Sequence, residues 1–579
     1  MNDILIISNR GPFSFTDKFI RNAQDMLDQK GRFRRPDFGQ GGLVQAMSGL
    51  LKSPKLNATW IGASMGNRDI EVTRGHYSEL FARLAEKKYS PDKFPLIEIG
   101  PGNRMRFKYG EYNFYIRFVF FDSKHMSSYY GKFSNGFLWP LMHLTRSPAF
   151  YKKTATFPRP EFIKNDFVQY TSSSVTFANT LIDEIKKNGP AGNKKKDVII
   201  WNQDYHLMQI AEIFKDLLFE SNSEINEKKN IHIGQFIHTP FFNIHEIQGL
   251  IREDKRSRLK ESLFDPFPEN IDSVLKKITW GMLSNDFIGF HTKEYCDNYL
   301  EALEEWFPVD IKINDQFYEI FYRDRITTVG AFPIGLDVEK ILPEVKERKK
   351  LTYRTGEKSL REMMEEDRKD KKIIFGGLER CDYTKGLVER LAIFSSIFSK
   401  LEKSGMDARF YQISSPSRLG NDDYKKLNDQ LKIEVEKINK RLKGIPIVHL
   451  PEGIPSPQNY RFMKEVDIML VTPLEDGMNL VAFEYILSQK YKNPENRGFL
   501  VLSTSGASRV LRQRGFDTKD GVVYVNALKP GDSAEKIFSA IINRIHLSDR
   551  IIGYVENERR IDSWADKNIE TIMNCRKYF

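Results

Sequence analysis

Two cations, Arg380 and Lys385, stand five positions apart in Glu379-Arg380-Cys381-Asp382-Tyr383-Thr384-Lys385-Gly386. Arginine offers a planar fork of donors and lysine a mobile point charge. Such a pair could clamp two oxygens of a diphosphate and stabilise it as a leaving group. An apolar run of strand length, Ile373-Ile374-Phe375, comes first and breaks at Gly376-Gly377. A helical pattern (Leu387, Leu391, Phe394) follows. A glycine-containing turn between a strand and a helix N-terminus is a common phosphate-binding arrangement. Taken alone, the stretch fits a surface loop with a solvated Arg and Lys as well.

Other candidates sit where apolar runs end. Arg10 follows Ile4-Leu5-Ile6-Ile7, and Gly41-Gly42 precede a helical pattern. Asp204 follows Val198-Ile199-Ile200-Trp201, where an N-cap is the plain reading and a hydroxyl-binding carboxylate the sharper one. His238 follows Ile231 to Ile237, and Arg418 follows Arg409 to Ser414. Asp476 lies in a loop after Ile468-Met469-Leu470-Val471. Glu484 falls one to two turns into the next helix, where a carboxylate could hold the two hydroxyls of a ribose. The N–H groups of Met478, Asn479, Leu480 and Val481 would face a diphosphate from that helix start. Between Tyr129 and Pro140 runs an aromatic segment with Tyr130 and Trp139, which suits a sugar site or ordinary core packing.

These residues need a scaffold that gathers strand C-termini. Strands alternate with helices in both halves, which predicts an α/β protein with two doubly wound, Rossmann-like domains around a cleft. Residues 95 to 121 alternate as antiparallel strands inserted into the first domain. A strand is expected over Thr327 to Ile334, with the domain boundary just after it. Residues 338 to 372 read as highly charged helix, and Arg32 to Gln40 as a mobile basic loop. The domains are placed at 1–335 and 336–549, with 550–579 last.

The chain has 579 residues and a net charge of +11. Its charges are interspersed, so the excess suits an anionic substrate better than nucleic acid. Three scattered cysteines argue against a disulfide framework or zinc site. No leader pattern and no membrane-length apolar run is seen, so a cytoplasmic protein without a membrane partner is expected. Homo-oligomer formation stays open.

In order, these motifs resemble glycosyltransferase family 20, the retaining trehalose-6-phosphate synthase family with the GT-B fold. The most specific are Glu379-Arg380-x-Asp382-Tyr383-x-Lys385-Gly386 and Asp476-Gly477-Met478-Asn479-Leu480-Val481-Ala482-x-Glu484. The resemblance implies that Arg380 and Lys385 hold the donor diphosphate and Glu484 the ribose. Asp476 would hold hydroxyls of the transferred glucose, with His238 close to that sugar and Gly42 in a phosphate-side loop. Arg10, Tyr130, Trp139 and Arg418 match acceptor-side positions, the two arginines near the acceptor phosphate, and Asp204 lies near acceptor hydroxyls. The final helix should cross back onto the first domain. The family's chemistry needs no metal, no cofactor and no protein nucleophile: the acceptor attacks on the face of the leaving phosphate.

Departures from the usual pattern touch the acceptor and the base. Asn202-Gln203 stands for Val-His, Thr-Pro-Phe-Phe after His238 does not end in proline, Glu475 stands for Arg, and Phe483 for Lys. Gly506-Ala507-Ser508-Arg509 replaces an Ala-Gly-Ala-Ala type of sequence. A nucleoside-diphosphate glucose donor and a phosphorylated acceptor, glucose 6-phosphate, are expected. The alternatives are a glucosylglycerol-phosphate synthase using glycerol 3-phosphate, a pseudo-glycosyltransferase acting on cyclitols, and a non-catalytic regulatory sugar-phosphate binder.

Overall fold

The computed structural model describes residues 2–27, 42–52, 56–86, 95–100, 103–146, 154, 157–158, 160–187, 196–220, 229–253, 268–323, 325–346, 350–418, 422–442 and 445–575. The expected basic loop Arg32 to Gln40 lies outside them.

The first unit is built on Asn2–Arg10 (β1), Leu56–Ala63 (β2), Leu96–Ile99 (β3), Arg104–Tyr109 (β4), Tyr112–Val119 (β5), Lys196–Gln203 (β6), Lys229–Phe236 (β7), Phe287–Phe290 (β8), Asp310–Asn314 (β9), Phe317–Tyr322 (β10) and Arg325–Ala331 (β11). They form one sheet in the order β3-β4-β5-β2-β1-β6-β7-β8-β11-β10-β9. From β5 to β11 the neighbours run parallel. Antiparallel strands close both edges. In β1, Ile4 and Ile6 feed the core on one face while Leu5 and Ile7 feed the other. That is why the run is continuously apolar: both faces are covered.

Beyond β11 the expected single charged helix is two, Val338–Lys346 and Leu360–Lys369. Between them a small hairpin pairs Arg354–Thr355 (β12) with Lys358–Ser359 (β13), turning at Gly356 with φ +65°. The second helix restarts at a capping box, Ser359 with Glu362. Strand β11 also ends three residues before the expected Ile334, and the exposed, charged β9 and the aromatic, half-buried β10 were not anticipated.

The second unit carries Ile373–Arg380 (β14), Ala408–Ser415 (β15), Ile447–Leu450 (β16), Ile468–Val471 (β17), Phe499–Leu502 (β18) and Val522–Tyr524 (β19). All are parallel, in the order β16-β15-β14-β17-β18-β19. Gly376 and Gly377 do not break β14, contrary to expectation; they lie inside it. A Cβ on Gly376 would sit 2.6 Å from Val466, and one on Gly377 2.7 Å from Gln412 and 3.1 Å from Arg390. Close packing across the sheet, not a turn, selects glycine there.

In each sheet the order reverses beside one central strand, between β1 and β6 and between β14 and β17. Ligands of open α/β sheets bind in the crevice at such points. The chain passes between the units twice. Leu336 N–H bonds the Arg559 carbonyl at 2.7 Å, and Ile561 N–H bonds the Leu336 carbonyl at 2.9 Å. Helix Asp549–Glu558 packs on helix Leu480–Ser488, and the last helix, Ile561–Asn574, crosses onto the first sheet at β6, β7 and β8 and onto helix Gly42–Lys52. There Trp564 meets Trp201 and Phe236, with ring centroids 5.3 and 4.8 Å apart. Among the described residues no helix is long and apolar enough to cross a membrane.

Candidate functional site

On the second unit, β14 delivers Arg380 at its last position, exposed, donating to Ser417 Oγ at 3.3 Å. A tight turn over Tyr383–Lys385 follows, capped by Asp382, whose carboxylate accepts from Thr384 N–H at 3.2 Å. Gly386 closes it with φ +58°, and a Cβ there would lie 2.4 Å from the Thr472 carbonyl. No other residue fits both constraints. The turn aims the Lys385 ammonium at the Asp476 carboxylate, with which it pairs. Asn479 donates to that carboxylate at 3.0 Å and to Glu379 at 2.6 Å. Glu379 is in turn held by the buried Arg390 at 2.5 Å. The loop is thus braced from β14 and from its own helix.

Asn479 turns left-handed (φ 61°) to open helix Leu480–Ser488. Its first N–H groups have no intrahelical acceptor, leaving an anion-attracting end. Glu484 lies further along, 8% exposed, and burial pushes its carboxyl up to about 7 against the pull of Lys340.

On the first unit, the Arg10 guanidinium sits 5.1 Å from the Tyr130 ring centroid, and Tyr130 stacks on His206 at 5.7 Å. Tyr130 belongs to a helix of wide, i+5 pitch over Ser127–Leu138. Side chains follow the same spacing: Ser134 bonds the Tyr129 carbonyl at 2.9 Å and Asn135 the Tyr130 carbonyl at 2.7 Å. Wide turns of this kind concentrate at functional sites. Trp139, just after it, carries the Arg418 guanidinium of the other unit 4.0 Å above its ring. Arg418 is left-handed (φ 47°) and reaches the buried Asp382 at 3.4 Å. Burial alone would raise the Asp382 carboxyl; Arg418, then Arg380 and Lys385, hold it below its ordinary value.

Asp204 occupies the N-cap position of the turn Tyr205–Leu207 with φ 69°, but its side chain makes no capping bond. Its carboxylate instead accepts from His238 N–H at 3.2 Å, and burial lifts its pKa to about 7. His238 Nε2–H donates to Gln203 Oε1 at 2.9 Å, and burial pushes the imidazole down to about 3, so it is neutral. The units meet here: a Cβ on Gly477 would lie 1.9 Å from the His238 carbonyl, and within the second unit one on Gly506 would lie 1.9 Å from the Gly477 carbonyl.

The structure brings Arg10, Tyr130 and Arg418 onto one cavity of about 1350 Å³ lined from both units. It joins Lys385 to Asp476 and Asp204 to His238. Met478 is buried, and Leu480 and Val481 lie partly buried at the helix start. Gly42 opens helix Gly42–Lys52, and the turn before it lies outside the described residues. Sequence reasoning gave no role to Gln203, Arg390 or Tyr424, whose partners are 35, 11 and 6 positions away; spacing along the chain carries no signal for such pairs. Among the described residues no group of three His, Cys, Asp or Glu is arranged to hold a metal ion.

The chain is 27% identical over 93% of its length to an alpha,alpha-trehalose-phosphate synthase [UDP-forming] of Pichia angusta, covering 92% of that protein. It is 25% identical, again over 93%, to the 56 kDa subunit of the Saccharomyces cerevisiae enzyme of that name, covering 87% of it. A crystal structure of alpha,alpha-trehalose-phosphate synthase (UDP-forming) from Burkholderia xenovorans, in complex with glucose-6-phosphate, superposes with a TM-score of 0.68 at 21% identity. It covers 99% of this chain and 100% of that one. The family model for glycosyltransferase family 20 matches residues 2–252 and 262–572, nearly the whole length, and the chain belongs to that family.

Proposed function

We propose that the protein is a retaining hexosyltransferase that moves glucose from UDP-glucose to glucose 6-phosphate, giving UDP and trehalose 6-phosphate. The observation that carries this reading is the meeting of two cationic sites at one cleft. Arg380 and the Lys385–Asp476 pair stand at the ends of β14 and β17, while Arg418 reaches across from the same unit to stack on Trp139 beside Arg10 and Tyr130. Two cationic sites suit a reaction with a phosphate on each substrate. The names of the curated relatives supply the choice of UDP and of a second glucose over glycerol 3-phosphate.

Each residue then has a task. The bond between the donor's anomeric carbon and the β-phosphate oxygen breaks, and its electrons go to the diphosphate. Arg380 and Lys385 stabilise that charge, with the N–H groups from Met478 to Val481 and the Gly42 end behind them. Asp476 accepts from hydroxyls of the departing glucose, neutral His238 lies beside that sugar, and Glu484 accepts from the ribose diol. Arg10 and Arg418 hold the acceptor phosphate; Tyr130, Trp139 and Asp204 hold its sugar. The acceptor hydroxyl bonds to the anomeric carbon on the face the phosphate leaves, and its proton passes to the phosphate.

The test is nucleoside diphosphate release with UDP-, ADP- and GDP-glucose crossed against glucose 6-phosphate and glycerol 3-phosphate, with product mass. UDP release with a disaccharide monophosphate is expected. Turnover with glycerol 3-phosphate alone would overturn the acceptor assignment, and silence throughout would overturn the activity.

A further inference from the structure

We infer that Glu475 and Arg509 are positioning residues that hold Asp476, and with it the donor sugar, in register with the first unit. Glu475 is fully buried, yet it is the residue directly before Asp476. A buried carboxylate is costly unless donors surround it. Arg509 supplies two parallel bonds, at 2.6 and 3.0 Å. Thr145 Oγ1 of the first unit donates at 2.7 Å, and the Asp476 N–H at 3.2 Å. The Tyr295 hydroxyl, also of the first unit, lies 3.1 Å from Glu475 Oε1 and 2.9 Å from the Asp476 carbonyl oxygen.

Arg509 completes the bridge. Besides Glu475 it grips Glu294 of the first unit through Nε and, at 2.6 Å, through Nη2. Its guanidinium also lies 5.0 Å from the Tyr295 ring centroid. One arginine therefore binds a carboxylate from each unit at once. The Glu475 carboxylate is tied to the first unit through Thr145 and Tyr295, and the Asp476 carbonyl through Tyr295. Gly506 N–H adds a bond to the Asp476 carbonyl at 3.0 Å from the helix that carries Arg509. With this cluster intact, the Asp476 side chain has one place to be; without it, the loop and the domain spacing loosen together. Sub-ångström placement matters here, since misplacing a reacting group by about 1 Å can cost 10²-fold in rate.

The inference rests on the role proposed above for Asp476. Its test uses the full chain with Arg509→Gln, Glu475→Gln, the exchanged pair Glu475→Arg with Arg509→Glu, and Glu294→Gln. Turnover, binding of UDP alone and small-angle X-ray scattering of the ligand-free protein are measured for each. Arg509→Gln is expected to lower kcat roughly 10²-fold while the Kd for UDP stays within about threefold, and to raise the radius of gyration. The exchanged pair should recover part of both losses. Glu294→Gln removes only the half-exposed end of the bridge, so it folds even if the buried variants do not, and should lower kcat by about threefold to tenfold. A kcat for Arg509→Gln or Glu294→Gln equal to wild type overturns the inference, as does a loss of UDP binding parallel to the loss of turnover. If the wild-type protein releases no UDP, the activity reading fails by itself. An unchanged radius of gyration in Arg509→Gln then overturns the bridge, and an increase upholds it.

Discussion

Replacing Glu484 by glutamine tests the electrostatics of the donor side. Burial raises its carboxyl from 4.5 to about 7. Between those values the folded protein keeps a proton that the unfolded chain has released. Stability therefore falls as pH rises through this window, and the whole cost is present above about pH 7. A rise of about 2.5 pKa units at 1.36 kcal/mol each gives about 3 kcal/mol. Glu484→Gln carries no such cost, so its stability relative to wild type should climb by about that much from pH 4.5 to 8. Urea unfolding of both proteins at each pH measures the difference. Asp204, also lifted to about 7, titrates in both and cancels. In the ribose role proposed for it, this carboxylate accepts from both hydroxyls of the diol only when ionised. UDP affinity of the wild type should thus weaken up to about tenfold per pH unit below 7, and that slope should vanish in Glu484→Gln. A stability difference flat with pH to within about 0.5 kcal/mol would refute the burial argument. A UDP slope kept by the variant would refute the ribose role.

Four further substitutions probe other parts of the cleft. Arg380→Ala or Lys385→Ala should each lower turnover roughly 10²-fold or more, as loss of one charge-stabilising donor does; single-turnover kinetics near wild-type rates would remove them from the reaction. Gly477→Ala puts a methyl 1.9 Å from the His238 carbonyl, a backbone atom with no room to yield. It should leave each unit folded by circular dichroism but abolish turnover, and normal activity would mean the units do not close as described. Arg418→Gln should raise the KM for the phosphorylated acceptor more than about tenfold with little change in UDP binding; an equal effect on both would place Arg418 elsewhere in the mechanism.

Much of the scaffold was legible because it obeys local rules. The runs that became β1, β6, β14 and β18 are continuously apolar, as strands covered on both faces must be. The crossing of the last helix followed from the family pattern. Other features depend on contacts that sequence does not display. Glycine serves both turns and close packing, so Gly376-Gly377 read as a break although it lies within β14. The edge strand β9 is largely solvent-facing, and its charges hid its alternation. The left-handed backbones of Asp204 and Arg418 are fixed by what packs around them, not by residue type. Glu475 and Arg509 each stood out as a departure from the family pattern; that they are partners follows only from the fold.

The last helix also bears on how the protein is made. Helix Ile561–Asn574 covers β6, β7 and β8, with Trp564 against Trp201 and Ile572 seated so closely over Gly234 that a Cβ there would lie 2.5 Å away. Those strands leave the ribosome more than 250 residues before the helix that seals them. Domains usually mature in the order of synthesis. Here the face formed by β6, β7 and β8 must wait uncovered until the second unit and helix Ile561–Asn574 have been translated. Ribosome-bound chains ending before Ile561 should therefore hold the second unit in a more protease-resistant state than the first, a reversal of the usual order written into the path of one helix.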